Sequence, residues 1–121
     1  MQDRESVINN LVTVREINHV LKRLMQHHGI FTYHRKVDIP CCQSCGCYGV
    51  PTEYGSKYVF YNVQSVDDRS VIDGRVYQTV GLSWGEDVDF ETVRQVFAEH
   101  GIKVTGGDLS KKLEIHPEKI Q

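Results

Sequence analysis

Residues 13–30 read Thr-Val-Arg-Glu-Ile-Asn-His-Val-Leu-Lys-Arg-Leu-Met-Gln-His-His-Gly-Ile, and they set the fold class because a capped amphipathic helix runs directly into strand-forming sequence. Thr13 and Glu16 have the capping-box spacing, in which hydroxyl and carboxylate satisfy opposing orphan amides. Ile17, Val20, Leu21 and Leu24 then recur on one helical face. The pattern predicts a helix over Val14–His28. Gly29 suits the left-handed cap position, Ile30 can fold back on the last turn, and His27 and His28 sit at the favourable negative end.

Downstream, Ile30–Val37 carries Ile, Phe, Thr, Tyr and Val without a helical stripe and predicts a strand, ended by Asp38-Ile39-Pro40. Lys57-Tyr-Val-Phe-Tyr-Asn-Val63 is apolar or aromatic on both faces and predicts a central strand. A polar connection at Asp67-Asp68-Arg69-Ser70 precedes a third strand from Arg75 to about Leu82, entered at Gly74. A second helix is expected from Asp87 or Asp89 to His100, with Phe90, Val93 and Phe97 on one face and Gly101 as its stop. Ile102–Thr105 and Lys112–His116 read as two further strands around a Gly106-Gly107-Asp108 turn. Upstream, the first ten or so residues are polar without clear periodicity, with room for a short helix at Ser6–Leu11. The expected architecture is α+β, order α-β-β-β-α-β-β, with two helices on one face of a mainly antiparallel sheet of about five strands. The patterned region 13–117 reads as one domain, with a loosely specified lead at 1–12 and a tail at 118–121.

A chain of 121 residues holds one domain with a real core, and a charged fraction of 25% with three Pro excludes wholesale disorder and collagen-like structure. No apolar run approaches the roughly 18 residues of a membrane span, and polar residues follow Met1, so a cytoplasmic protein is expected. Residues 1–50 carry 6 basic and 4 acidic side chains and residues 51–121 carry 8 and 12. The formal net charge of −2 argues against a nucleic-acid partner, while halves of +2 and −4 are too mild to name one; an unidentified protein or small ligand is the expected partner.

All four cysteines fall within Cys41-Cys42-Gln43-Ser44-Cys45-Gly46-Cys47, which makes a local site and not a disulfide framework for the whole fold. Cys42-x-x-Cys45 has knuckle-like spacing for zinc, and Cys47 offers a third thiolate. His34, on the preceding strand, is the candidate fourth ligand, with Cys41 as the alternative. Structural zinc and a metal-free loop both fit this spacing. The same Cys42–Cys45 pair also suits thiol–disulfide exchange, although a thioredoxin-like site would place it at a helix N-terminus after a parallel strand, and here it precedes a Pro/Gly-bearing connection.

The phrase Cys41-Cys42-Gln43-Ser44-Cys45-Gly46, followed by Tyr58-Val59-Phe60-Tyr61-Asn62-Val63-Gln64-Ser65-Val66-Asp67, resembles an uncharacterised bacterial domain family with a CCxxCG segment and a downstream YVFY/H-Q-D segment. The resemblance runs from the Val14–Ile30 helix to the Lys112–His116 strand. In that family a His often stands at the position of Cys47, and a His is common at that of Asn62. Cys47 keeps metal ligation open, whereas Asn62 removes any role that needs imidazole there. The resemblance implies the fold and carries no established reaction.

Glu53, Asp67, Asp68, Glu86, Asp87 and Asp89 have surface or cap explanations, as do His100 and His116 at element ends. Lys111-Lys112 is too short for a nucleic-acid patch. Phosphate-loop, dinucleotide, zinc-protease and serine-hydrolase motifs are absent from the sequence. A non-catalytic binding or interaction domain with a Cys-rich loop is therefore the leading expectation. The alternative is a thiol-dependent redox enzyme using Cys42 and Cys45, which would require a concave pocket around them.

Overall fold

The computed structural model describes residues 8–35, 38–67, 69–107 and 113–120. Ser6 and Val7 of the expected N-terminal helix, Lys36 and Val37 of the expected first strand, Asp68, Asp108, and Lys111 and Lys112 lie outside them. Helix α1 spans Val14–His28 as its sequence dictates. Thr13 Oγ1 accepts from the Glu16 N–H at 3.1 Å while Glu16 Oε1 accepts from the Thr13 N–H at 3.0 Å. The helix closes at Gly29, whose φ of 65° lies in the left-handed region where a side chain would be strained. Asp89 caps the helix Phe90–Glu99, accepting from the Glu91 N–H at 3.1 Å and the Thr92 hydroxyl at 3.0 Å.

Between them lies a helix the sequence reading does not contain, Gln43–Tyr48. In chain order these three are α1, α2 and α3. Strands β1 (Val59–Phe60), β4 (Val80–Trp84), β6 (Leu113–Lys119) and β5 (Ile102–Thr105) form an antiparallel sheet in the order β1-β4-β6-β5. Strands β2 (Val71–Ile72) and β3 (Arg75–Val76) make a separate hairpin. Its two-residue turn, Asp73-Gly74, has positive φ at both positions, 53° and 76°, the backbone twist that Asp-Gly accommodates in a type I′ hairpin.

The α+β class and the helices packed on an antiparallel sheet hold, whereas the single sheet of about five strands does not: the described residues hold six strands in two sheets. Three departures account for this. Among its described residues the expected Ile30–Val37 strand contributes only a parallel bridge from Phe31 to Tyr58, with the Phe31 and Tyr33 side chains drawn into a cluster described below. The expected central strand at Lys57–Val63 is the short edge strand β1, and it ends where Asn62 Oδ1 accepts from the Ser65 N–H at 3.0 Å and Val63–Val66 folds into a 3-10 turn. The expected strand from Arg75 to Leu82 breaks at exposed Tyr77-Gln78-Thr79 into β3 and β4.

One face of the four-stranded sheet, through Val59, Val80, Leu82, Ile102, Leu113 and Ile115, packs with Ile17, Val20, Leu21 and Leu24 of α1 and Val93, Val96 and Phe97 of α3 in one core. Packing reaches beyond residues 13–117. Leu11 and Val12 are buried, and Val12 N–H donates to Pro117 O at 2.7 Å while Lys119 N–H donates to Asn10 O at 2.9 Å. Pro117 is tolerated inside β6 because the pairing with β5 shifts register around it, from Val104↔Ile115 to Ile102↔Lys119, so no ladder bond needs its missing N–H.

Candidate metal centre in the cysteine loop

The other face of the sheet builds the site. Phe60 is fully buried yet stands outside the main core, since alternation along β1 turns it away from the neighbours Val59 and Tyr61. Its ring meets Tyr33 edge-on at 5.3 Å and stacks on Tyr58 at 5.7 Å. Phe31 extends the group, 5.0 Å from Tyr33 and 5.3 Å from Tyr54. Helix α2 sits on these rings through Gly46, which is buried; a Cβ there would enter the Phe60 ring and come within 2.9 Å of Pro40 Cγ. Tyr33 Oη donates to Gly46 O at 2.6 Å and ties down the helix. Six residues that include a Gly cannot sustain a helix by propensity, so α2 exists because the sheet face holds it.

Seated by Gly46, the helix turns Cys45 outward, toward Cys41 and Cys42. Cys41 Sγ lies 3.3 Å from Cys45 Sγ and 4.0 Å from Cys42 Sγ, and all three sulfurs fall within 4.8 Å of one another. Cys41 and Cys45 are exposed and Cys42 is half-buried at the N-cap of α2. Zinc–sulfur bonds of about 2.3 Å set at tetrahedral angles separate the sulfurs by about 3.8 Å. The separations of 3.3 and 4.0 Å bracket that edge, so this tri-cysteine cluster can chelate a metal ion.

Cys42 and Cys45 are thus brought together, with Cys41 as the third donor. Cys47 and His34 are not members of the group. Cys47 Sγ shares a hydrogen bond of 3.4 Å with Tyr58 Oη on the aromatic side of the helix. His34 is half-buried, with Nδ1 out of solvent and without a hydrogen-bond partner among the described residues. Of the other His candidates, His100 meets His19 edge-on at 5.5 Å, and His116 Nε2 lies 2.7 Å from Thr105 Oγ1. Sequence spacing offered Cys41 as an alternative ligand, but it gave no signal for Tyr33, Tyr58 and Phe60 as supports.

The thiols are electrostatically unequal. The Cys45 N–H, then the Cys45 thiol, favour the Cys42 thiolate over the opposing effect of burial, with further help from Cys41 and the Ser44 N–H, so the Cys42 pKa falls below its ordinary 9.0. Cys45, facing the sulfurs of Cys41 and then Cys42, is pushed up to about 11. Tyr58 rises to about 12 through its bond to Cys47, then burial. Beside the loop lies a cavity of about 370 Å³, lined by Gln43 of α2, Gln64 and Ser65 of the 3-10 turn, and Ser83 of β4; the cysteines do not line it. Compared with protein-family models, curated proteins and solved structures, the chain matches none of them.

Proposed function

We propose that this chain is a non-catalytic binding domain whose loop holds a structural zinc ion through Cys41, Cys42 and Cys45. The observation that carries the reading is the convergence of three sulfurs from one short segment within 4.8 Å. Soft thiolates in this number select zinc over the hard cations that prefer oxygen. A thiol enzyme would want its reactive Cys within a concave site next to a base. Here Cys41 and Cys45 lie on the surface, and the adjoining cavity reaches the loop only through Gln43.

We also propose membership in the bacterial family with the CCxxCG and YVFY segments. Support comes from the packing of Gly46 on Phe60, which makes the two segments one structural unit. The test is metal analysis of protein prepared with and without zinc. One zinc per chain is expected, lost on C41S, C42S or C45S and kept in C47S and H34A. Protein that takes up no zinc, or that loses it only with C47S or H34A, overturns the assignment.

A further inference from the structure

Sequence spacing singles out Cys42 and Cys45 as a redox pair, but the structure puts other sulfurs in contact. Cys41 and Cys45 have their sulfurs 3.3 Å apart, and both are exposed. Cys42 is half-buried at the N-cap of α2, with its sulfur 4.0 Å from that of Cys41. Joining it to adjacent Cys41 would close a strained ring across a single peptide bond. Cys41, by contrast, precedes the N-cap, so its backbone can turn toward Cys45 while Gly46 stays seated on Phe60 and Tyr33 continues to hold Gly46 O. Closure bridges the first turn of α2 and leaves the main core untouched.

We propose that Cys41 and Cys45 are an oxidation site for hydrogen peroxide, and that their disulfide and a bound metal ion exclude each other; the second half rests on the zinc reading above. One thiolate attacks the peroxide, forming an S–O bond as the O–O bond breaks and hydroxide leaves. The second sulfur attacks the sulfenic acid, forming the S–S bond as the S–O bond breaks and a second hydroxide departs. Two electrons pass from the two sulfurs to the peroxide, and two protons from solvent turn both hydroxides into water. The ion loses two of its three sulfurs and dissociates, while Cys42 stays reduced. A thiol reductant reverses the closure and restores the site.

The test uses the full chain, zinc-loaded and metal-free, treated with hydrogen peroxide. Zinc release is followed with a chromogenic chelator, and linkage is mapped by alkylation, proteolysis and mass spectrometry. A Cys41–Cys45 disulfide is expected in both forms, with zinc and disulfide appearing in equal amounts from the loaded one. Metal-free C42S should still form it, and C41S or C45S should not. A Cys42–Cys45 linkage, over-oxidation without any disulfide, or zinc retained after closure overturns the proposal. A chain that never binds zinc removes the metal reading and the exclusion with it, while mapping on the metal-free form separately decides the pairing.

Discussion

Gly46 is the residue on which the loop turns. Its missing side chain lets α2 lie on Phe60, so a methyl group there must push the ring, the helix or Pro40 aside. Overpacking of this kind costs roughly 1–3 kcal/mol. Gly46→Ala should lower stability by about that amount in denaturant melts and weaken zinc uptake in parallel, whereas a change at exposed Ser44 should do neither. The thiols themselves should titrate apart. In metal-free protein, iodoacetamide should modify Cys42 with a midpoint below pH 9.0 and Cys45 only as pH nears about 11, read by mass spectrometry of each site. Equal midpoints would contradict the hydrogen-bond arrangement drawn for the loop.

Among the elements, α1 was the most legible, because cap, stripe and stop all sit within its own sequence. Thr13→Ala removes the hydroxyl that satisfies the Glu16 N–H and should cost about 1 kcal/mol, measured by chemical denaturation. Glu16 adds a pH dependence. Burial opposes its ionisation, but the Thr13 N–H, Lys119 at 3.2 Å and the Thr13 hydroxyl outweigh it, and the pKa falls below 4.5. A carboxylate depressed in the folded state stabilises above its unfolded value and loses that contribution as pH falls through the folded one. The difference in stability between the parent and Glu16→Gln should therefore be constant above about pH 5 and shrink below 4.5. Helix α2 and strand β1 were not legible in the same way. Six residues ending in Gly-Cys-Tyr have no helical signature, and the Lys57–Val63 run shows strand propensity without showing that Asn62 ends the strand early.

For the whole molecule, the distribution of apolar residues separates the loop from the core. Helices α1 and α3 bury their stripes against one sheet face, and no cysteine enters that cluster. Removing zinc with a chelator should therefore leave far-UV circular dichroism and the cooperative melt essentially in place while thiol accessibility rises. Unfolding on chelation would show that the loop supports the core. Phe60→Ala is the converse experiment: it should cost about 3–5 kcal/mol and loosen α2, since one ring serves as both sheet face and loop seat.

Neighbours along the chain are enough to set α1 and α3 with their caps, the glycine stops, the strands around Ile102 and Ile115, and the confinement of the thiols to one loop. Tertiary structure decided which runs became ladders and which sulfurs meet. Strand propensity measures fitness for a half-buried pleated surface, which Phe31 and Tyr33 found in packing around α2 and not in a ladder. Ligand spacing likewise left Cys41, Cys47 and His34 as alternatives; the seat of Gly46 on Phe60 turned Cys41 toward Cys45 and Cys47 toward Tyr58. That choice depends on a contact 14 residues along the chain, between positions 46 and 60, which local periodicity does not encode.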